Sequence, residues 1–467
     1  MAPNENHHQI RNNNGQNKAQ VVVVMVPFAA QGHINQLLHL SRLISPYNIT
    51  IHYVSTTAYT QKAKSRLHGW DSISAANIHF HEFHVPYVKS SSTLFGPSIE
   101  AAAYLRKPVA ELLQALGPTA ERLVVIHDFL VSITVQDLVL VPNAEAYTFH
   151  GVSAFHVFSY FWEILGKPSS VFVDDGTIDE LPLIESAFSP EFVQHIDRNL
   201  AHANFMSGII YDGCRSLEGK YIDLTATKDM MPGLKQWALG PFNPVTLTQN
   251  TVGPNQRHPC LKWLDQQAPN SVIYVSFGTT VCLVEQQVKE LAIGLEQSGQ
   301  KFIWLLRDAD TQVLSQRELN SAELPKGYEE RVKGQGMVVK DWVPQMEILG
   351  HPSTGGFLSH CGWNSLMESL TMGVPVGAWP MHSDQPRNTL LITKGLKTGL
   401  VVRDWADRNE LVTSTTVEKG VRKLMTSKQG EEMRKMAAEL GSVLRGSMVK
   451  GGVTRMELDS FIAHINR

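Results

Sequence analysis

The run "VVVVMVPF", residues 21–28, is apolar at consecutive positions. Side chains of a strand alternate between its two faces, so such a run needs cover on both sides, as a parallel strand inside an α/β sheet has. Short β-rich runs recur at "ITIHYVST" (49–56), "NIHFHEFHV" (77–85), "LVVIHDF" (123–129) and "GIIYDG" (208–213), with room between them for crossover helices. This is βαβ spacing and implies a parallel sheet. From about Gly233 to Pro254 the chain places Pro241, Pro244, Gly253 and Pro254 among Thr and Asn, the composition of a linker. The pattern then restarts with "SVIYVSFG" (271–278), "KFIWLLRD" (301–308), "GMVVKDWV" (336–343), "GGFLSH" (355–360), "VPVGAWP" (374–380) and "GLVV" (399–402). The prediction is two doubly wound α/β halves joined by a Pro/Gly segment. A chain of 467 residues suits two domains of roughly 200 residues each. Ligands of such sheets lie beyond the carboxyl ends of the strands, and two facing halves enclose a cleft.

Composition narrows the partners. Net charge is -3 and no basic stretch reaches five residues, so neither nucleic acid nor an anionic membrane is an expected partner. Four cysteines form no CxxC and no disulfide framework, which points to free thiols in a reducing compartment. Residues 1–20, "MAPNENHHQIRNNNGQNKAQ", lack the apolar core of a signal peptide and are expected to be a disordered tail. Val21 to Ala30 is far too short to span a membrane. A soluble, cytoplasmic monomer without a membrane anchor is expected.

Motifs concentrate in the second half. "SFGTT" (276–280) follows a strand. Gly278 permits a tight turn, and Thr279 and Thr280 offer hydroxyls beside the free N–H groups of a following helix, an arrangement that binds phosphate. Taken alone, these five residues read more readily as a helix N-cap. "HCGWNSLME" (360–368) repeats the design, with a strand ending at His360, Gly362 opening the backbone and a helix beginning near Asn364 or Ser365. Ser365 and Glu368 have capping-box spacing, which leaves His360, Trp363 and Asn364 unexplained. Asn364 and Glu368 share a helical face at i, i+4. Glu368 can accept two hydrogen bonds from a ribose diol, while Asn364, Ser365 and the helix N-terminus hold phosphate. In "WVPQ" (342–345), Trp342 stands near Pro344 in an extended turn that suits a platform for a base, with Val343 and Gln345 beside it. An isolated Trp is more often core. In "PMHSDQ" (380–385), Asp384 and Gln385 can read sugar hydroxyls, although an N-cap role also fits Asp384.

In the first half, "PFAAQGHINQ" (27–36) puts Gly32 and His33 where a helix should start. A His there is usually structural, but the first βα loop of a cleft-forming sheet favours chemistry. A neutral imidazole can take a proton from an incoming hydroxyl if an acid orients its other nitrogen. Asp128, at the carboxyl end of a later strand, can do so. His127 alternates to the opposite face and reads as structural.

The 44 residues from Trp342 to Gln385 resemble the signature box of plant UDP-sugar-dependent glycosyltransferases, W-x-P-Q…H-C-G-W-N-S…E…G-V-P…D-Q. The resemblance implies that Trp342 stacks on uracil and that Gln345 holds the base or ribose. It implies diphosphate contacts from His360, Asn364 and Ser365 with Thr279, a sugar contact from Trp363, a ribose grip by Glu368, and sugar hydroxyls bound by Asp384 and Gln385. It also matches His33 and Asp128 to the family's catalytic pair. Gln36 departs from the pattern, since most members carry Pro there. "GHINQLLHLSRLI", "HGW" (68–70), "AYTFHGVSAF" (146–155), "LRDAD" (306–310) and "WPMHSDQPRN" (379–388) look most like the zeatin O-glucosyltransferase branch. The resemblance implies a GT-B fold of two facing Rossmann-like domains. The domains are expected at 21–240 for the acceptor and 259–450 for the UDP-sugar, with a linker at 241–258 and a helix at 451–467 crossing back onto the first domain. It implies an inverting hexosyltransferase that uses UDP-glucose without a metal or other cofactor. The expected acceptor is a small alcohol, best a cytokinin such as zeatin, with flavonoids, other phenols and terpenoid alcohols as alternatives and UDP-xylose as an alternative donor. Two helix N-termini, rather than Lys or Arg, are expected to stabilise the departing UDP.

Other signals carry less. "DAD" (308–310) matches a metal-binding D-x-D but follows a core strand. His79 and His81 share a strand face and are read as a polar surface near the acceptor cleft rather than a zinc site. "GQGMVV" (334–339) precedes its strand and so is no dinucleotide fingerprint, which disfavours an NAD(P) oxidoreductase. No G-x-S-x-G is present, which disfavours a serine hydrolase. Aromatics in "FHGVSAFHVFSYFW" (149–162) are candidate pocket walls, though this spacing is more often core. A non-catalytic nucleotide-sugar binder would not need both His33 and Asp128.

Overall fold

The computed structural model describes residues 19–66, 76–85, 93–171, 173, 176–246, 257–280, 283–307 and 323–467. Two parallel sheets organise them. The first contains β1 (Ala19–Val26), β2 (Thr50–Thr56), β3 (Ile78–Phe83), β4 (Ala120–Asp128), β5 (Ala144–His150), β6 (Met206–Tyr211) and β7 (Lys235–Ala238), in the order β3-β2-β1-β4-β5-β6-β7. The second contains β8 (Val272–Ser276), β9 (Lys301–Leu305), β10 (Gly336–Val339), β11 (Thr354–Ser359), β12 (Val376–Ala378) and β13 (Gly399–Val401), in the order β10-β9-β8-β11-β12-β13. Strand order reverses between β1 and β4, and again between β8 and β11. These are the positions where a doubly wound sheet opens a ligand crevice.

β1 shows why the opening run must be apolar throughout. Val23 and Met25 pack in one cluster with Ile34, Leu37 and Leu38 of helix α1 (Gln31–Ile44). Val22, Val24 and Val26 pack in another with Leu105, Val109 and Leu113. Burying each such side chain is worth about 1.5–3 kcal/mol, so one polar substitution in this strand costs a substantial fraction of a domain's stability of roughly 5–15 kcal/mol.

Every strand expected from the sequence forms, but two that form were not expected. β5, "AEAYTFH", hides its apolar residues behind Glu145 and Thr148. β7, "KQWA", lies within the stretch read as linker, and pairs with β6 at Gly208↔Lys235. The remaining linker residues 247–256, the tail to residue 18, "HGW" and "DAD" lie outside the described residues.

Three further helices position the site: α2 (Ala154–Ile164), α3 (Trp363–Met372) and α4 (Val453–Ile465). α4 lies against the first sheet. The Phe461 ring meets Tyr147 at 5.3 Å and Trp237 at 5.2 Å, and the Thr454 hydroxyl donates to the Gly240 carbonyl at 2.8 Å.

The N-terminus of α2 is held by a buried acid. Glu218 Oε1 accepts from the Phe155 N–H at 3.1 Å, while Oε2 is buried without a partner among the described residues. Burial pushes the carboxyl's pKa up to about 8, against the pull of those backbone N–H groups. A raised carboxyl favours the native state while neutral. Its contribution is complete below the ordinary value of 4.5 and is lost as pH rises through about 8. Melting temperature is therefore expected to fall between about pH 4.5 and 8 in the wild type and to level off above that, and to fall less steeply over the same range in Glu218→Gln, which cannot ionise. Parallel pH–melting curves for the two proteins would refute this role.

Candidate active site

A cavity of about 380 Å3 lies between the carboxyl ends of the two sheets. All fifteen residues singled out from the sequence line it.

On the first sheet, β1 leads into α1, and His33 stands in that helix's first turn. β4 neighbours β1, with Val26 opposite His127, so Asp128 ends beside the same turn. His33 Nδ1 lies 2.6 Å from Asp128 Oδ2. Asp128 is 1% exposed, and its Oδ1 accepts from the Leu130 N–H at 2.9 Å, which fixes the carboxylate. Burial opposes a charge on the His33 imidazole, but the Asp128 carboxylate and its hydrogen bond outweigh that, and the pKa stands above its ordinary value. Gly151 closes against the ring: a Cβ there would sit 2.9 Å from Nδ1. His127 points the other way, buried with Nδ1 at 2.9 Å from the Asp128 carbonyl.

On the second sheet, Gly278 at φ +80° and Gly362 flank the His360 ring, and a Cβ on Gly278 would fall 2.7 Å from His360 Nε2. Burial lowers the His360 pKa to about 4, so this imidazole faces the cavity as a neutral hydrogen-bonding group rather than as a cation. Trp342 is 65% exposed, with its flat ring at the cavity wall, while Val343 behind it is buried. Gln345 Nε2 donates to Glu368 Oε2 at 2.7 Å and to the Ser365 hydroxyl at 3.1 Å. Burial pushes the Glu368 carboxyl up to about 7, although Gln345 and the Arg66 charge pull it down. Asp384 is buried, accepts from Asn388 Nδ2 at 2.6 Å, and is raised by burial to about 6. Gln385 Oε1 accepts from the Met381 and His382 N–H groups at 2.8 and 3.1 Å.

The halves touch at this site. Asn364 Nδ2 donates to the Gly32 carbonyl at 3.1 Å, and the Trp363 indole N–H donates to the Asp212 carbonyl at 2.7 Å. Gln36 joins them: its Nε2 donates to Asp212 Oδ2 at 3.1 Å, a bond that Pro at this position would not make.

Several expectations change. Ser365 and Glu368 form no capping box: α3 starts at Trp363 with Gly362 before it, and Gln345 takes both side chains. Thr279 and Thr280 do not adjoin a helix start, because the next helix runs Glu285–Ser298. The helix N-terminus expected after Thr279 and Thr280 is therefore not at the site; those that reach the cavity belong to α3 and to the short helices Gln345–Leu349 and Gln385–Leu390. Asp384 precedes the helix Gln385–Leu390 but makes no side-chain cap. The Trp363 indole N–H is committed across the interface, leaving only its ring toward the cavity. Arg66 and Arg307 both line the cavity, so guanidinium groups are not absent from it. His79 and His81 do not line it. They stack with His52 instead, whose Nδ1 lies 2.7 Å from His81 Nε2, and no metal-holding group of three or more His, Cys, Asp or Glu occurs among the described residues. From the aromatic stretch, Tyr160 and Phe161 reach the cavity along with His150 and His156, whereas Phe155 and Phe158 pack on Tyr221. Arg66, Gln36, Asp212, His150 and His156 were missed as site residues, being scattered singly through the sequence.

Two facing Rossmann-like domains, with a buried His–Asp pair on one side of the cleft and a cavity reaching a helix N-terminus on the other, are the architecture of a GT-B glycosyltransferase. The chain belongs to the UDP-glycosyltransferase family. A family model described as "Glycosyltransferase, N-terminal domain" matches residues 19–244, and one described as "UDP-glucoronosyl and UDP-glucosyl transferase" matches residues 236–435. Zeatin O-glucosyltransferase of Phaseolus lunatus is 50% identical, over 96% of this chain and 98% of its own length. Zeatin O-xylosyltransferase of Phaseolus vulgaris is 47% identical, over 96% and 99%. The solved structure of Phytolacca americana UGT2 complexed with UDP-2fluoro-glucose and pterostilbene shares the fold at a TM-score of 0.77 and 24% identity, over 96% of this chain and 99% of that one. The protein is a UDP-sugar-dependent enzyme. Among the described residues, no helix is long and apolar enough to cross a membrane.

Proposed function

We propose that the enzyme transfers glucose from UDP-glucose to the side-chain hydroxyl of zeatin, with inversion at the anomeric carbon and without a metal. The observation that carries this is the 2.6 Å His33–Asp128 pair in the same cavity as the complete donor box. Asp128 holds the N–H of His33 Nδ1, which leaves Nε2 as the base. The acceptor oxygen forms a bond to the anomeric carbon as its proton passes to Nε2. The bond from that carbon to the β-phosphate oxygen breaks on the opposite face, and UDP leaves with the electron pair. The sugar passes through an oxocarbenium-like state. Trp342 supports the uracil, Glu368 and Gln345 take the ribose, and Asp384 and Gln385 take the sugar hydroxyls. The N-terminus of α3, with Asn364, Ser365, Thr279 and neutral His360, stabilises the departing diphosphate. Domains at 21–240 and 259–450 belong to the same reading, with a linker drawn after β7. So does a monomer in the cytosol: one chain completes the cleft, and the described cysteines, Cys214, Cys260 and Cys361, are buried free thiols.

The relative named for xylose transfer makes UDP-xylose the rival donor. The purified protein, with chelator present, is given UDP-glucose or UDP-xylose together with trans-zeatin, cis-zeatin, a flavonoid or a terpenoid alcohol, and products are read by mass. One hexose on a zeatin is expected. A pentose product alone would overturn the donor, hexose on the flavonoid or terpenoid alone would overturn the acceptor, and loss of transfer with chelator would overturn metal independence.

A further inference from the structure

Two imidazoles in the cavity take no part in the transfer just described. His150 ends β5, one residue before the Gly151 that closes on His33. His156 lies in the first turn of α2. They are 6% and 8% exposed, and neither ring has a hydrogen-bonding partner among the described residues. Their surroundings are flat and apolar. His150 stacks between Phe129 at 5.1 Å and Tyr211 at 5.9 Å, and His156 meets Phe188 edge-on at 6.3 Å. Burial holds both neutral, His150 near 4 and His156 well below its ordinary value. A neutral imidazole carries one donor and one acceptor nitrogen, and a buried polar group without a partner is costly.

We infer that His150 and His156 are the specificity-determining pair of the acceptor pocket, selecting a flat, uncharged nitrogen heteroaromatic ring that carries its alcohol on a side chain. Such a ring offers lone pairs and N–H groups along its edge to the two imidazoles while its faces meet the aromatic walls. A carbocyclic ring of the same size fills the walls but leaves both imidazoles unpaired. An anionic ring gains no charge partner from them. This deepens the proposed transfer and rests on it.

The test compares trans-zeatin with cinnamyl alcohol, an allylic alcohol on a ring without nitrogen, in the wild type, His150→Phe, His156→Phe and His156→Asn. UDP binding and melting temperature control for folding. The wild type is expected to favour zeatin. Each Phe variant is expected to lower kcat/KM for zeatin by about tenfold to a hundredfold through KM, with cinnamyl alcohol changed by less than about threefold. His156→Asn, which keeps a hydrogen-bonding side chain, is expected to recover part of the loss. Equal losses on both acceptors, no loss on either, or a wild type that prefers cinnamyl alcohol overturns the inference. If a Phe variant fails to bind UDP, the zeatin-to-cinnamyl ratio of His156→Asn and of the other Phe variant decides in the same way. A wild type that ignores zeatin but glucosylates another hydroxyalkyl purine, with the same sensitivity to both histidines, sinks the proposed acceptor and leaves the inference standing.

Discussion

His33→Ala is expected to lower kcat by about a thousandfold while UDP still binds, because general-base assistance typically supplies 10²–10⁴ in rate. The residue stands on the first sheet and makes no hydrogen bond to the donor box among the described residues, its only link there being the charge of Asp384. Asp128→Asn is expected to cost a similar factor by a different route. An amide in place of the carboxylate no longer favours the tautomer with its proton on Nδ1, so Nε2 ceases to be the basic nitrogen. The two lesions are separable by pH. With the His33 pKa raised above 6.5, the acid limb of kcat/KM in the wild type is expected to have its midpoint above that value, activity rising as the imidazole loses its proton. Removing the Asp128 charge is expected to move that midpoint to lower pH. Transfer that survives His33→Ala within tenfold would remove His33 from the mechanism.

Glu368→Ala is expected to raise KM for UDP-glucose by about tenfold to a hundredfold, since hydrogen bonds to a charged group are worth about 1.5–3 kcal/mol. The carboxyl is buried, held by Gln345, and lines the cavity one helical turn beyond Asn364. It must be ionised to accept two hydrogen bonds from a diol. Its pKa near 7 makes that state pH-dependent, so KM for the donor is expected to rise as pH falls through about 7 in the wild type. Glu368→Gln, which cannot ionise, is expected to show a higher and flatter KM profile. The measurement is UDP-glucose saturation at several pH values, with direct UDP binding as a second readout. An Ala variant that binds UDP as well as the wild type does would exclude a ribose contact.

What could be read in advance followed the range over which the physics acts. β1 and β8 were legible because burial on both faces is written into consecutive residues. β5 was not, because Glu145 and Thr148 interrupt its apolar run, and β7 was not, because four residues beside Pro and Gly look like a joint. The donor side was legible because its residues lie within one segment, each just past a strand end. The bonds across the cleft were not, because Asn364 and Gly32 stand 332 residues apart and meet only when the halves dock. The capping-box spacing of Ser365 and Glu368 is a real local preference, but Gln345 offers both side chains better bonds from another helix. His150 and His156 sit among aromatics in a stretch whose periodicity speaks only of packing, and their lack of partners among the described residues is a property of the folded pocket.

The last helix has a consequence for how the protein is made. Tyr147 and Trp237 both take a ring partner from Phe461, and Arg215 takes one of its two carboxylates from Glu457 at 2.6 Å. During synthesis the first half leaves the ribosome with that face of its sheet uncovered, and it stays so until Val453–Ile465 emerge. The second half also waits on late residues, Met433 and Leu444 being buried in its core, but those precede the last helix. A nascent chain halted just before Val453 would thus hold the residues of the second sheet's core but leave the first sheet without Phe461, an open apolar face prone to aggregation.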